Sequence, residues 1–212
     1  GVVLIGQWRH HDQLNELAAR KLPIVVWGAQ LPRQMYCTVG GDNQRGGRLA
    51  AEHLLKQGRK RIVFLGDPQL PEVAQRLEGY HAALATAKVT ARAELELAVP
   101  FEVGAARAAV VSLLDRKVVF DAVIGCSDLL AISAMQVLRE HGRDVPRDVA
   151  VVGYDDMPLA NYCDPPLSSI HQPVPEAGVQ LVDALLAMLH GQVAAPRVLP
   201  VELVVRRSSA PA

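Results

Sequence analysis

Short apolar runs alternate with amphipathic stretches along almost the whole chain. The runs at 2–5, 24–27, 62–66, 122–126 and 149–153 are dense in Val and Ile rather than alternating apolar and polar, the pattern of strands covered on both faces of a parallel sheet. Between them, apolar residues recur at i, i+3, i+4 and i+7. The clearest such helix follows Asp42, a plausible N-cap, and puts Gly47, Ala50, Ala51, Leu54 and Leu55 on one side, with Gly58 suited to end it. Further helices are predicted over 72–86, 102–116, from near Asp128 to before Gly142, and over 176–190. A last strand is predicted at 199–205. This alternation predicts an α/β protein built on open parallel sheets. It is interrupted around 30–41, which is turn-rich, and around 164–175, which reads Pro-Pro-Leu-Ser-Ser-Ile-His-Gln-Pro-Val-Pro from Pro165. Two such crossings between regular blocks predict two lobes joined by hinge strands.

Composition narrows the function. The 212 residues are 50% hydrophobic and 21% charged, with 22 Lys+Arg against 22 Asp+Glu. A chain of this length hides roughly 70–75% of its unfolded surface and needs neither disulfides nor metal to make a core. Zero net charge argues against a domain that binds nucleic acid unaided. Cys37, Cys126 and Cys163 are too few and scattered for a disulfide framework and suggest a reducing compartment. No apolar run approaches the ~20 residues of a membrane span, and no signal-peptide series is present. The chain enters a strand directly after Gly1, as a fragment would.

In an open parallel sheet, ligands bind beyond the carboxyl ends of the strands. The run 62–66 leads into Asp67, 122–126 into Ser127-Asp128, and 149–153 into Tyr154-Asp155-Asp156. Carboxylates there can accept from adjacent hydroxyls of a polyol. Asp128 could equally cap its helix, whereas Asp155-Asp156 precedes no clear helix and favours a ligand. Catalytic patterns fail. The segment Gly41 to Arg48 lacks the Lys and Ser/Thr of a phosphate loop, and Gly46 and Gly47 better suit close helix packing. Gly125-Cys126-Ser127-Asp128-Leu129 has Leu where a nucleophile elbow needs Gly. His10-His11 reads as a loop pair and His53 as a helical residue, and the seven His form no metal cluster. These residues predict a site that binds rather than reacts, with no metal and no cofactor.

Together the motifs resemble one family, the effector-binding domains of lactose-repressor (LacI/GalR) transcription regulators, relatives of periplasmic sugar-binding proteins. The matching stretches are Asp42-Asn43-Gln44-Arg45-Gly46-Gly47 through Gly58, Arg61-Ile62-Val63-Phe64-Leu65-Gly66, Arg76-Leu77-Glu78-Gly79-Tyr80, Asp121 to Ala131, Val145 to Asp156, and Pro165 to Pro173. Order and spacing agree over essentially the whole chain. The resemblance implies a two-lobed, periplasmic-binding-protein-like fold and a small sugar or related effector held between the lobes. It implies ligand-binding roles for Arg76, Ser127, Asp128, Asp155 and Gln172, with Phe101 as an aromatic wall. Gly28 stands where many relatives carry a ligand-binding Asp, so Trp27 is expected to shape that wall. The expected amino-terminal lobe is 1–41 with 173–196, and the expected carboxy-terminal lobe is 42–171 with the strand at 197–207, leaving 208–212 as a tail. The family further implies a cytoplasmic homodimer that reaches operator DNA through a helix-turn-helix ahead of Gly1, with no membrane contact. The rivals are a periplasmic sugar-binding protein for transport and an α/β enzyme.

Overall fold

The structure, a computed structural model, describes residues 1–7 and 9–210. Its elements in chain order are β1 (Val2–Ile5), α1 (His11–Ala19), β2 (Ile24–Trp27), β3 (Cys37–Gly41), α2 (Asn43–Lys56), β4 (Ile62–Leu65), α3 (Pro71–Thr86), β5 (Glu96–Leu97), α4 (Val103–Asp115), β6 (Ala122–Gly125), α5 (Asp128–Glu140), β7 (Ala150–Asp155), β8 (Ser168–His171), α6 (Val174–Leu189), β9 (Arg197–Leu199) and β10 (Glu202–Val204). They form two sheets, β1-β2-β3-β9 and β10-β8-β7-β6-β4-β5, parallel throughout except that β10 runs antiparallel to β8. The fold is therefore α/β with two parallel-sheet lobes, as the alternation predicts.

In the first lobe, alternate residues of β2 point to opposite faces. Val25 packs with Ala177 and Leu181 of α6, while Ile24 and Val26 pack with Leu14 of α1. In the second lobe β4, β6 and most of β7 are buried on both faces, which is why they read as unbroken apolar runs. After β4 the chain goes to the edge strand β5 and returns across β4 to β6, so the winding reverses between β4 and β6. Such a switch point opens a crevice at the carboxyl ends of the strands. Glycines bring α2 against α3: a Cβ on Gly47 would overlap the Arg76 carbonyl, and one on Gly79 the Gln44 carbonyl.

Each interruption in the pattern contains a strand, β3 in the first and β8 in the second. β3 is buried along its length and carries Gly40 and Gly41 because neighbours leave no room for side chains: Gly40 abuts the Gly28 carbonyl. β8 has little apolar signal because Ser168 and Ser169 are buried yet hydrogen-bonded, Ser168 Oγ to the Arg206 carbonyl and Ser169 Oγ to Asp128. Two expectations are corrected. The final strand does not return whole to the second lobe: Arg197–Leu199 pairs with β3 in the first sheet, and only Glu202–Val204 joins β8 in the second. His11 begins α1 rather than lying in a loop, and its Nδ1 is 2.9 Å from the Tyr36 hydroxyl.

The chain passes between the sheets three times, after β3, after β8 and after β9. These crossings touch. A Cβ on Gly41 would lie 2.7 Å from Gln172 Oε1 and 2.9 Å from Val201 Cγ1.

Candidate functional site: the cleft between the lobes

A cavity of about 350 Å³ lies between the two sheets, lined by Ile5, Gly6 and Trp27 from the first lobe and by Leu70, Glu72, Arg76, Phe101, Ser127, Leu129, Asp155, Met157 and Gln172 from the second lobe and the hinge. Apolar walls with a few converging polar groups are the usual make-up of a small-molecule site. A larger hollow of about 590 Å³ on the second lobe is lined by the exposed Arg139, Arg143 and Arg207 and has none of the buried polar groups that mark the cleft.

Arg76 is the fixed point of the site. It sits in the second turn of α3, 6% exposed. Its Nε donates to Asn43 Oδ1 at 2.9 Å, its Nη1 donates to the Cys126 carbonyl, and its guanidinium lies 3.6 Å from the centre of the Tyr154 ring. A cation over an aromatic face gains from the ring quadrupole, more so out of water. Burial alone would lower the Arg76 pKa, but Tyr154, Asp155, Cys126 and Glu72 around it hold it above its ordinary value. Gly46 leaves room for Tyr154, whose hydroxyl would overlap a Cβ there.

At the end of β7 the chain turns sharply. Asp155 has φ +102° and Asp156 φ +52°, two consecutive non-glycine residues in the left-handed region. Such conformations cost about 1–3 kcal/mol each and persist where the surroundings over-determine them. Here the surroundings are explicit. Gln172 Nε2 donates to Asp155 Oδ1 at 2.8 Å, while Asp156 pairs with Arg206 at 2.7 Å and with His171 at 3.1 Å. The turn aims the two carboxylates apart, so that Asp155 lines the cleft and Asp156 does not. Burial raises the Asp155 pKa, although Arg76 and the Gln172 hydrogen bond pull it back down.

The structure brings Trp27, Arg76, Phe101, Ser127, Asp155 and Gln172 to this one cavity. Trp27 ends β2 and Phe101 immediately precedes the N-cap of α4, so the two aromatic rings come from opposite lobes. Ser127 caps α5, accepting from the Leu130 N–H at 3.3 Å, and also lines the cleft. Asp128 is placed elsewhere, a correction to its expected ligand role. It is fully buried, accepting from Ser169 Oγ at 2.6 Å and from the Met157 N–H at 2.6 Å, and burial pushes its pKa up to about 6. It anchors the loop that carries Asp155 instead of facing the cavity. Gly28 is outside the lining too, because the Gln7 side chain fills the space beside it: a Cβ on Gly28 would lie 2.9 Å from Gln7 Oε1.

Glu72, Leu70, Ile5, Leu129 and Met157 line the cavity without having been expected to. Glu72 offered one signal, its position one turn before Arg76 on the same helix face. Among the described residues, no group of three or more His, Cys, Asp or Glu could hold a metal ion, and no helix is long and apolar enough to cross a membrane.

Two doubly wound lobes, three bundled crossings and a ligand-sized cleft between them define a two-lobed binding domain of the periplasmic-binding-protein-like class. Residues 51–209 match the family described as periplasmic binding protein-like domain. The regulator CelR of Thermobifida fusca is 36% identical over 98% of this chain and 63% of its own, and the repressor CytR of Escherichia coli K12 is 31% identical over 99% and 62%. Among solved structures, a complex of the transcriptional regulator CelR with cellobiose superposes with TM-score 0.91 at 35% identity, over 98% of this chain and 65% of that one. A LacI-family regulatory protein from Chloroflexus aggregans superposes with TM-score 0.88 at 31% identity, over 98% and 76%. The chain belongs to the LacI family of transcription regulators and corresponds to their effector domain. It spans between half and two-thirds of the length of the curated relatives it matches.

Proposed function

We propose that this chain is the ligand-sensing part of a LacI-type transcription regulator, and that an uncharged sugar of one or two rings binds in the cleft between its lobes. The observation that carries this reading is the constellation of Arg76 and Asp155, each held in place by protein partners, beneath aromatic rings from opposite lobes. Arg76 donates from Nε to Asn43 and from one Nη1 N–H to Cys126, so both N–H groups of Nη2 remain for ligand oxygens. Asp155 accepts from ligand hydroxyls, and Trp27 and Phe101 cover the C–H faces of a sugar ring. Hydrogen bonds to charged groups contribute about 1.5–3 kcal/mol each, and a buried group left without its partner discriminates strongly against a deoxy analogue. Cellobiose is the first sugar to try, because the CelR structure superposed here contains it.

The crossings at Gly41, Gln172 and Val201 form the hinge, and Gln172 joins that hinge to the cleft carboxylate. A ligand that touches both lobes favours the closed arrangement by as much as it binds that arrangement better. In the whole protein this change of angle controls operator binding through a helix-turn-helix, as a homodimer whose two copies read two half-sites. The reading includes no catalysis, no cofactor and no membrane contact, and it places the protein in the cytoplasm. The transport alternative finds no support in the relatives described above, which are transcription regulators.

Calorimetric titration with cellobiose and with ribose tests the reading. Wild type is expected to bind one of these sugars, and Asp155→Asn or Arg76→Gln to lose at least about ten-fold in affinity, the equivalent of one charged hydrogen bond. Undiminished affinity in both variants contradicts the site.

A further inference from the structure

Of the charged residues that line the cleft, Glu72 is the one that neither the family motifs nor the hinge accounts for. It stands in the first turn of α3, four residues and about 6 Å along the helix from Arg76, on the same face. It is half-buried and lines the cavity. Although it belongs to the second lobe, its nearest polar partner is in the first: the Gln7 N–H points to Glu72 Oε1 at 3.5 Å, a long contact that leaves acceptor capacity free. The two cleft carboxylates are thus differently anchored, Asp155 to the hinge through Gln172 and Glu72 to the first lobe through Gln7. Gln7 also fills the space beside Gly28, so no residue-28 side chain supplies an acceptor on that wall.

Charge points the same way. Arg76 is the cation of the lining, Glu72 and Asp155 its two anions, and the guanidinium is already committed at two nitrogens. A phosphate or carboxylate entering this cleft meets two like charges and one preoccupied arginine, whereas hydroxyl groups meet acceptors beside both lobes.

We propose that Glu72 determines ligand choice in this cleft: its carboxylate accepts from hydroxyls of the ligand portion that contacts the first lobe, and so selects neutral, hydroxyl-rich ligands over phosphorylated or carboxylated ones. The assignment rests on the sugar-binding reading above and adds to it the charge class of the ligand.

The test is titration of wild type, Glu72→Gln and Asp155→Asn with cellobiose and with cellobiose 6-phosphate, together with thermal melts of each protein. Wild type is expected to bind cellobiose and to bind the phosphate at least about ten-fold more weakly. Glu72→Gln, melting close to wild type, should lose about 10- to 100-fold toward cellobiose, the worth of one charge-assisted hydrogen bond, and should narrow the ratio between the two sugars. If wild type and Asp155→Asn behave as the sugar reading requires while Glu72→Gln keeps wild-type affinity and the same ratio, the assignment of Glu72 is wrong and the sugar reading stands. If wild type binds neither sugar, the selectivity assigned to Glu72 falls, and binding of ribose in the same cleft decides whether the sugar reading falls with it.

Discussion

Among the described residues, 36 buried apolar residues of the second lobe, from Ala50 to Val201, make one continuous core, whereas the first lobe has two separate clusters, six residues under α6 and four under α1, on opposite faces of its sheet. The outer side of α6 leaves Val179, Val182, Leu186 and Leu189 47–61% exposed, and the edge strand β1 leaves Ile5 70% exposed. The buried charged residues, Arg76 and Asp128, both belong to the second lobe. The division of labour follows from packing. The second lobe holds a desolvated arginine and a strained Asp155 on a continuous core, and the first contributes a more thinly packed wall to the cleft. Local stability within one protein ranges from near zero to the global value, and segments that move come from the weaker end.

The largest expected effect breaks the stronger lobe. Phe64→Ala removes a fully buried ring that packs against Tyr80, and should cost about 3–5 kcal/mol. Leu181→Ala, in the thinner cluster under α6, should cost about 2 kcal/mol, because a cavity there can collapse toward the surface. Urea denaturation followed separately by cleft Trp fluorescence and by circular dichroism checks both. A larger loss for Leu181→Ala would reverse the comparison.

A smaller effect depends on pH. The Asp128 carboxyl titrates near 6 when folded, against an ordinary value near 3.8, because it is buried. The folded state therefore holds its proton more tightly, so this group favours folding fully below about pH 4, and that contribution is lost as pH rises through 6. Two pH units correspond to about 3 kcal/mol. The melting temperature of wild type minus that of Asp128→Asn should fall between pH 4 and pH 7. A difference that is flat or rising with pH contradicts the assignment. The smallest effect concerns the rim, where Arg9 pairs across the lobes with Asp67 at 2.7 Å. Arg9 is largely exposed, so the pair contributes about 1 kcal/mol at most. Arg9→Gln should weaken sugar binding less than about five-fold, with the loss vanishing in high salt.

The same contrast explains what the sequence alone could disclose. Strands buried on both faces announce themselves as Val- and Ile-rich runs, and β2, β4, β6 and β7 were legible for that reason, while β1 shares that composition although it is an exposed edge strand. β3 and β8 were not, because their burial is achieved with glycine and hydrogen-bonded serine, whose need appears only when the crossings and the tail are in place. Arg76 and Asp155 carry a motif signal at strand and helix ends. Asp128 carries the same signal but turns inward to Ser169 and Met157, a distinction made by β8 and invisible in the local sequence. Glu72, Ile5 and Met157 become site residues only when two lobes face each other.

That facing is the central claim, and hydrogen exchange with and without saturating sugar tests it most directly. The best ligand of the titration should protect the ends of β1 and β2 in the first lobe together with segments around Arg76, Phe101, Ser127 and Asp155 in the second. Protection confined to one lobe, or centred on the Arg139–Arg143–Arg207 hollow, would contradict a ligand held between the lobes.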